Sequence, residues 1–330
     1  MALVLQEDDV RDLLTMDETI RVLDATFRHQ GTGAARNQPR SRVVHPVSGS
    51  VLHVLPAFVP GQPGHPERDG AGLVGLKSYT SFGGRARFIV LLYSGESGEL
   101  LALVEADLLG QMRTGAASGV ATRYMARADA VTLGMIGTGG QARTQALAIA
   151  AVRPLQRMVV FGPNAARRQT FASDLAAQTG IEVVPVESAR AAVQMADILC
   201  TATTARDPIV SAEWVQPGTH LNVIGSNWAH RREVDEQTVA RADVVAVDAL
   251  DQARLEAGDL LFAERAGLFS FAHAVELGAI VAGATPGRRD ATDVTFFKSL
   301  GIGLEDVAVA GLVYALARER GLGKELDIVL

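Results

Sequence analysis

The chain of 330 residues is 48% hydrophobic and 21% charged, enough apolar material for a large buried core and, at this length, for two domains. Its net charge of −6 predicts neither nucleic acid nor membrane binding, and no stretch reaches the roughly 18 consecutive apolar residues of a membrane span, so small molecules are the expected partners. The single cysteine, Cys200, excludes an internal disulfide and a cysteine-rich metal site, so no metal is expected. The N-terminus carries acidic residues by position 7, unlike a signal peptide, and the sequence therefore predicts a cytoplasmic protein.

The first part of the chain predicts helices followed by a sheet. A short strand is expected at Ala2–Leu5, and Thr15 with Glu18 forms a capping box that begins a helix. Between residues 40 and 105 apolar and polar residues alternate, which predicts a mainly antiparallel sheet. Its strands are Val51–Leu55, Leu73–Thr80, Arg87–Tyr93 and Leu100–Val104. The intervening Gly61–Gly72 is typical of a surface loop.

A glycine-rich turn at Val131–Ala142 lies between a buried strand and a helix. Its first glycine permits a sharp turn, its second lets a pyrophosphate approach the backbone, and the alanine lets the helix pack on the strand. The helix N-terminus then offers N–H groups to phosphates. A plain turn would look similar, but a second strand at Met158–Phe161, one helix length on, favours dinucleotide binding. The expected contacts are Gly137, Thr138, Gly139, Gly140, Gln141 and Ala142.

Strands and helices alternate after this turn, which predicts a doubly wound parallel sheet of six strands. Besides the strand before the turn, these are Met158–Phe161, Glu182–Val186, Asp197–Thr201, Thr219–Ile224 and Ala242–Val247. Ligands of such sheets bind at the carboxyl ends of the strands. The nicotinamide end of a cofactor is therefore expected near Thr201, Thr203, Gly225 and Ser226. A last helix, Leu304–Arg320, has an apolar face that predicts its return to the N-terminal domain.

Five sequence blocks occur in the order found in one protein family. They are GLKSYT at Gly75–Thr80, QMRTGAAS at Gln111–Ser118, IGTGGQA at Ile136–Ala142, GSNWAHRREVD at Gly225–Asp235 and FFKSLGIGLEDVA at Phe296–Ala308. With these blocks the chain resembles the ornithine cyclodeaminase/mu-crystallin family over nearly its whole length. The resemblance implies an α/β fold with a Rossmann NAD(P)-binding domain at 128–302. It also implies a discontinuous α+β domain, 1–127 with 303–330, for substrate binding and homodimer formation.

Members of this family share hydride transfer at a carbon that bears nitrogen. The resemblance therefore implies an NAD(P)H-dependent oxidoreductase that acts on the CH–NH or C=N bond of a small amino or imino acid, as ketimine or cyclic-imine reductases and amino-acid dehydrogenases do. One alternative is a cyclodeaminase that releases ammonia from ornithine or another basic amino acid. Another is a mu-crystallin-like protein that binds NADPH and a small ligand with little turnover.

The carboxylate of such a substrate needs fixed cations. Taken alone, Arg113 on a helix is more often a solvated charge, and Lys77 could protect an edge strand; the resemblance reverses both interpretations and places Thr114 beside Arg113 in the substrate site. Burial would lower the pKa of Lys77, so that it could exchange a proton with the substrate nitrogen. Arg40 and Arg42 both follow one proline, and either could match the arginine of the family.

The end of the second strand normally decides between the two nicotinamide cofactors. Here Gly162-Pro163-Asn164 lacks both the acid that selects NAD and the arginine that NADPH-using relatives place at Pro163. Arg167 and Arg168 lie one helical turn further on, either bound to a 2′-phosphate or solvated, and they favour NADP(H) over NAD(H). The expected cofactor contacts here and in the last block are Gly162, Asn164, Arg168 and Lys298.

Asn227 stands where cyclodeaminases resembling this chain place an aspartate. In that reaction a carboxylate must move protons while the side-chain amine attacks the imine. An amide takes no proton near neutral pH, so Asn227 can only orient a substrate or water. Alternatively it caps a helix containing Glu233 and Val234. The catalytic set implied by the resemblance, Lys77, Arg113 and Asn227, therefore predicts a reductase or dehydrogenase with little cyclodeaminase activity.

Overall fold

A computed structural model describes residues 2–61, 72–82 and 85–326. The chain divides into two compact units: unit 1 combines Met1–Arg113 with Ile302–Leu330, and unit 2 is Thr114–Gly301. The first boundary falls within a helix, whereas the sequence placed it after residue 127, near the end of that helix. Most of the predicted loop Gly61–Gly72 lies outside the described residues.

The elements of the first part of unit 1 follow the predicted order of a strand, two helices and a run of strands. They are β1 (Ala2–Leu5), α1 (Glu7–Leu13), α2 (Met16–Gly31), β2 (Arg36–Asn37), β3 (Ser41–Val44), β4 (Val51–Val59), β5 (Leu73–Phe82), β6 (Arg85–Ser94), β7 (Leu100–Glu105) and α3 (Asp107–Met125), the last of which crosses into unit 2.

Strands and helices alternate through unit 2, and the chain then returns to unit 1. Unit 2 contains β8 (Thr132–Ile136), α4 (Gly140–Val152), β9 (Arg157–Phe161), α5 (Ala165–Thr179), β10 (Glu182–Pro185), α6 (Ala189–Gln194), β11 (Ile198–Thr201), β12 (His220–Val223), α7 (Glu236–Ala240), β13 (Val244–Val247), α8 (Leu250–Glu256), α9 (Gly258–Arg265), β14 (Ala274–Glu276), α10 (Leu277–Val281) and β15 (Thr295–Lys298). The final elements of unit 1 are α11 (Gly303–Arg320) and β16 (Lys324–Leu326).

The sheet of unit 1 has the order β16-β1-β7-β6-β5-β4-β2, with β3 also paired to β4. Its neighbours are antiparallel, as predicted, except that β1 pairs parallel with β7. Helix α11 packs on α2, β4 and β5. The sequence predicted one apolar face for this helix, but Gly303–Tyr314 is buried on all sides, including two acidic residues. The predicted apolar residues Val307, Ala310, Leu312 and Val313 are buried in unit 1 as expected, and burial extends to the other sides because the helix contacts both the sheet and α2.

The sheet of unit 2 is parallel throughout, with the order β10-β9-β8-β11-β12-β15-β13-β14. The prediction of six strands was wrong, because it missed β14 and β15, and it did not include helices α8 to α10. Strand β15 lies in the interior of the sheet, between β12 and β13. The sequence did not predict this strand because it has only four residues and ends on Lys298, so it lacks the long apolar run expected of a buried strand.

No helix contains Glu233 and Val234, so the alternative role of Asn227 as the cap of such a helix was wrong. Val234 is extended and forms a parallel bridge with Val210. The next helix, α7, begins after Asp235, whose side chain accepts a hydrogen bond from the Thr238 backbone N–H at 2.8 Å. The segment before α7 is therefore held by strand-like pairing at the carboxyl edge of the sheet.

Helix α3 ends at Met125, two residues before the predicted end at Arg127. Its last carbonyl groups are bound by the guanidinium of Arg153, whose Nη2 donates to the oxygens of Thr122 at 2.8 Å and Ala126 at 3.0 Å. This side chain satisfies backbone acceptors that the helix itself leaves open. No helix among the described residues has the length and apolar character to cross a bilayer.

Close packing of α6 on β8 depends on Gly134. A Cβ atom there would lie 2.5 Å from the carbonyl oxygen of Ala192 and 2.8 Å from the Cβ of Ala196. We expect Gly134→Ala to lower the free energy of unfolding by about 1–3 kcal/mol, because α6 must move away. Urea denaturation without nucleotide measures this. Gly139→Ser is the control, since no atom of a non-neighbouring described residue lies within 4 Å of the Cβ position and serine suits a helix N-cap. An equal loss in both variants would contradict the packing argument.

Candidate active site

Two buried cations of unit 1 converge on carboxylates in the first turn of α11. Lys77 on β5 donates from Nζ to Asp306 Oδ1 at 3.1 Å, and Arg113 on α3 donates from Nε to the same oxygen at 2.9 Å. Arg113 Nη1 also donates to Glu305 Oε2 at 2.6 Å. Sequence reasoning gave neither acid a role. The available signal was two carboxylates in an otherwise apolar helix, since buried acids are rare unless they are paired.

Burial and neighbouring charges change the acidity of the Lys77 ammonium group. Burial lowers the pKa of Lys77 to about 8; Asp306 opposes this fall, and the positive charges of Arg113 and Arg40 add to it. A Cβ at position 110 on α3 would lie 3.1 Å from Nζ, so the glycine there leaves room for the ammonium. Near neutral pH, Lys77 is therefore a charged donor that gives up its proton far more readily than a solvated lysine.

Arg113 remains charged throughout the accessible pH range. Burial alone would lower the pKa of Arg113, but the carboxylates of Asp306 and Glu305 outweigh it and raise the pKa above its usual value. Thr114, the next residue, is also buried, and its carbonyl oxygen accepts a hydrogen bond from Gln145 Nε2 at 3.0 Å. The predicted pair of substrate residues is thus fixed on α3, with Arg113 already bound to two acids.

The structure separates the two arginines that the sequence could not distinguish. Arg40 is buried, and its charge contributes to lowering the pKa of Lys77. Arg42 is half-buried on β3 opposite His53. Burial, and then the charges of Arg42 and Arg40, lower the pKa of His53 to about 4, so this imidazole is neutral. Of the two arginines, Arg40 is the one coupled to Lys77.

Aromatic rings that sequence reasoning missed surround this group of charges. His53 and Tyr79 stack across β4 and β5 with ring centroids 4.1 Å apart and planes within 5°. The Nζ atom of Lys77 lies 4.9 Å from the ring centroid of Phe88 and 5.8 Å from that of Tyr79. Both rings stabilise the ammonium by cation–π attraction. Only the register of β4, β5 and β6 brings these side chains together.

In unit 2 the glycine-rich turn has the geometry that a pyrophosphate requires. Gly137 has a φ of +127°, and a Cβ there would lie 2.4 Å from the Ala202 carbonyl oxygen, so only glycine fits. Gly139 caps α4 without a side-chain hydrogen bond, and among the described residues, its chain neighbours aside, no atom lies within 4 Å of its Cβ position. Ala142 is fully buried against the core. The first N–H groups of α4 therefore remain open to an anion.

The side chain of Gln141 provides a further test of fit to a dinucleotide. Its Oε1 atom is buried and has no hydrogen-bond partner within the described part of the chain. A buried acceptor without a partner is costly, and a hydroxyl group of the cofactor would satisfy it. Thr138, also in this turn, lies against Gly162 at the end of β9, where a Cβ would come within 2.8 Å of Thr138 Cγ2. The predicted turn residues and Gly162 thus belong to one surface.

The predicted contacts at the end of β9 have local partners. Asn164 caps α5 by accepting a hydrogen bond from the Arg167 backbone N–H at 2.9 Å. Arg168 is buried, donating from Nη1 to the Gly162 carbonyl oxygen at 2.7 Å and from Nη2 to Glu187 Oε1 at 2.7 Å. The guanidinium of Arg168 is therefore already held by an acid that sequence reasoning did not consider.

Glu233 ties together the carboxyl ends of β11 and β12. Its carboxylate accepts hydrogen bonds from Thr201 Oγ1 at 2.7 Å, from the Thr203 N–H and hydroxyl at 2.8 and 2.7 Å, and from the Gly225 N–H at 2.7 Å. Burial raises the pKa of Glu233, although Lys298 opposes the rise. Three predicted cofactor residues, Thr201, Thr203 and Gly225, therefore donate these hydrogen bonds to Glu233. The bonds hold the carboxyl ends of β11 and β12 together.

A second buried acid supports Glu233 from behind. Asp259 on α9 accepts from the Glu233 N–H at 2.6 Å, and its other oxygen lies 3.0 Å from Lys298 Nζ at the end of β15. Lys298 is fully buried. This ion pair indicates a structural role for Lys298, and its contact with the cofactor stays a prediction. Ser226, also buried, accepts from the Trp228 N–H at 3.3 Å, and the half-buried Asn227 lies between them in the chain.

The chain is similar to known proteins in sequence and in fold. The sequence model of the ornithine cyclodeaminase/mu-crystallin family matches residues 1–321. A Delta(1)-pyrroline-2-carboxylate reductase of Bacillus cereus is 33% identical over 337 residues, which cover 98% of this chain and 99% of that protein.

Two solved structures resemble the whole chain. The Delta(1)-pyrroline-2-carboxylate reductase of Thermococcus litoralis, in complex with NADH and L-proline, has a TM-score of 0.91 and 34% identity over 98% of this chain and 100% of its own. An archaeal alanine dehydrogenase dimer with bound NAD has a TM-score of 0.90 and 29% identity over 99% of each chain.

The open space at Gly139 makes it a direct probe of the nucleotide site. We expect Gly139→Val to abolish quenching of protein fluorescence by NADH and NADPH, because the added side chain occupies the approach of the pyrophosphate. The fold should persist, since the φ of −101° suits any residue and the part of the chain that the structure describes leaves open space around the Cβ position. Circular dichroism checks this. A folded Gly139→Val protein that still bound either nucleotide normally would contradict the assignment.

Proposed function

We propose that this chain, which belongs to the ornithine cyclodeaminase/mu-crystallin family, reduces the C=N bond of a small cyclic or N-alkyl imino acid. It is an NAD(P)-dependent enzyme that acts on the carbon–nitrogen bond of small amino or imino acids. The Thermococcus litoralis relative binds NADH with L-proline, the product of reducing a cyclic imino acid, which supports the proposed substrate class.

The observation that carries the proposal is the amide at position 227. A cyclodeaminase needs a carboxylate there to move protons while ammonia departs, and Asn227 cannot supply one. The acid nearest in sequence, Glu233, does not replace it, because its carboxylate is fully buried and bound to two threonines and Gly225. Reduction of a preformed imine asks only for a hydride and one proton, both of which remain available.

The cations of unit 1 provide the site for the substrate carboxylate. Arg113 uses Nε and Nη1 to bind Asp306 and Glu305, and we assign its Nη2 donors to the substrate. Arg40, coupled to Lys77, is the second candidate ligand in preference to Arg42. Charge-assisted hydrogen bonds from two guanidinium groups would fix the orientation of a planar imino acid. Thr114, which follows Arg113 in the chain and is buried, stays a predicted substrate residue.

Lys77 is the proposed proton donor. A nicotinamide cofactor would supply the hydride for the new C–H bond. Lys77 Nζ would donate the proton for the new N–H bond, and solvent would then reprotonate the neutral lysine amine. Asp306 Oδ1 holds the ammonium, and Asp306 Oδ2 has no hydrogen-bond partner among the described residues. That oxygen can accept a hydrogen bond from the substrate nitrogen or from water, so Asp306 would position both the Lys77 ammonium and the substrate.

Cofactor identity and assembly follow from different observations. The predicted preference for NADP(H) rested on Arg167 and Arg168, and the contact of Arg168 with Glu187 removes part of its support.

We further propose a homodimer, as in the archaeal alanine dehydrogenase. The outer face of the sheet of unit 1 supports this, because it exposes apolar side chains, including Val43 at 67% and Phe82 at 63%. Cytoplasmic location stays a prediction from the single cysteine.

The proposal is tested with a substrate panel and both cofactors. We expect cofactor oxidation with cyclic imino acids and with α-keto acids plus methylamine, and little ammonia from ornithine. Rapid formation of proline and ammonia from ornithine would overturn the proposal. Saturable nucleotide binding without oxidation on any imino acid would instead indicate a binding protein of the mu-crystallin type.

Asn227→Asp supplies the converse experiment. We expect this variant to release more ammonia from basic amino acids than the wild type, because it restores a group that can carry protons. Gln216→Glu, which adds a carboxylate at an exposed position of unit 2, is the matched control. Ammonia release that rises equally in both variants, or in neither, would contradict the role assigned to position 227.

The pKa of Lys77, lowered to about 8, predicts opposite pH profiles for the two directions of the reaction. Imine reduction needs the protonated ammonium, so kcat/KM should fall as pH rises through about 8. Oxidation of the amino acid needs the neutral amine, so its kcat/KM should rise through the same range. Initial rates between about pH 6 and about pH 10 measure both limbs.

Two neighbouring carboxylates on α11 provide matched controls for this assignment. Because Asp306 raises the pKa of Lys77, Asp306→Asn should move both limbs to lower pH. Glu305→Gln alters an equally buried acid that binds Arg113 and not Lys77, so it should weaken substrate binding without moving the limbs. Limbs that stay in place in Asp306→Asn would show that Lys77 is not the titrating group.

A further inference from the structure

We propose that Glu187 reads the 2′ position of the cofactor's adenosine ribose and gives the enzyme a preference for NAD(H) over NADP(H). The inference rests on the proposed function, since it concerns the nucleotide that the enzyme uses. In doubly wound folds an acid at the end of the second strand binds the ribose 2′-hydroxyl. Here that strand is β9, and Gly162-Pro163-Asn164 after it contains no acid.

The missing acid comes from the neighbouring strand. Strands β9 and β10 are parallel and in register up to Val160 and Pro185, and the Val186 N–H donates to the Val160 carbonyl oxygen at 2.9 Å. Continuing this register by two residues brings Glu187 level with Gly162, at the carboxyl end of β9. The side chain of Glu187 is 90% exposed, so its carboxylate stands at the surface that a ribose would approach.

The contacts of Arg168 place the carboxylate of Glu187 beside Gly162, at the carboxyl end of β9. Arg168 Nη1 donates to the Gly162 carbonyl oxygen and Nη2 to Glu187 Oε1, each at 2.7 Å. The guanidinium also lies 5.9 Å from the ring centroid of Phe161, the last residue of β9. With only 5% of its side chain exposed, Arg168 is held by these contacts and is not a mobile surface charge. One oxygen of Glu187 is thus fixed by Arg168, while the exposed side chain leaves the other accessible to a ligand.

The carboxylate of Glu187 would favour binding of NAD(H) and disfavour binding of NADP(H). The 2′-hydroxyl of NAD(H) can donate to the exposed oxygen of Glu187, forming a hydrogen bond to a charged acceptor. The 2′-phosphate of NADP(H) would place a second anion beside the carboxylate and would have to compete with it for Arg168. Arg167 is exposed in the same helical turn, but it does not remove the charge of Glu187. The arginine expected to favour NADP(H) is therefore neutralised by the residue that disfavours it.

The test measures nucleotide affinity and not turnover. Fluorescence titrations of the folded full chain with NADH and NADPH give a ratio of dissociation constants for each variant. We expect the wild type to bind NADH more tightly. Glu187→Gln should improve NADPH binding by about tenfold, about 1.4 kcal/mol, because it removes the repulsion and releases Arg168. It should weaken NADH binding by a smaller factor. Addition of Arg168→Gln to Glu187→Gln should cancel most of the gain for NADPH.

Glu182→Gln is the matched control. Glu182 lies at the amino end of β10, the strand that precedes Glu187, and 3.4 Å from Arg157, so this variant removes an equal charge at the end of β10 that is remote from the ribose position. An unchanged ratio in Glu182→Gln and a changed one in Glu187→Gln support the proposal. Equal changes in both, a wild type that prefers NADPH, or a Glu187→Gln variant with the wild-type ratio overturn it. Absence of binding by either nucleotide would instead overturn the proposed function, so the two failures are distinguishable.

Discussion

Asp306 Oδ1 holds two cations at once, and the candidate substrate site of unit 1 depends on this contact. Lys77 comes from a strand, Arg113 from α3 and Asp306 from the helix that returns near the end of the chain. Each charge is buried, and removal of one partner from such a group leaves an uncompensated charge at a cost of several kcal/mol. The same bonds that position the proposed proton donor therefore also hold three elements of unit 1 together. Substitutions there change stability and chemistry together, which is why exchanges of acid for amide are more informative than deletions.

In unit 2 the buried group that binds several partners is a carboxylate, whereas in unit 1 two cations share one carboxylate oxygen. Glu233 gathers the backbone and hydroxyl donors at the ends of β11 and β12, and Asp259 binds both the Glu233 N–H and Lys298. A carboxylate bound by several donors is stable in a buried site although burial raises its pKa. The carboxyl edge of the parallel sheet is thus rigid before any ligand binds, which reduces the ordering cost of binding.

Local sequence signals predicted what depends on local structure. The strand, the glycine turn and helix α4 were predicted correctly because turn geometry and hydrophobic period are properties of neighbouring residues. The partners of charged residues were not, since Asp306 lies 229 positions from Lys77 in the chain. Strand β15 was missed because its stability comes from its two neighbouring strands and from the Asp259 pair at Lys298. Likewise, Arg168 looked like a phosphate ligand until the register of β9 and β10 placed Glu187 beside it.

The pairing of β1 with both β7 and β16 has a consequence for synthesis on the ribosome. Ala2 lies opposite Leu326, and the acids that compensate Lys77 and Arg113 are in α11, so unit 1 is incomplete until residue 326 has left the exit tunnel. Unit 2 is one continuous segment, Thr114–Gly301, and its last strand to be made, β15, closes the interior of its sheet. During translation, unit 2 can fold first, while the apolar strands and the cations of unit 1, not yet paired with the acids of α11, remain exposed. Those strands are therefore the part of the nascent chain that most needs protection by chaperones.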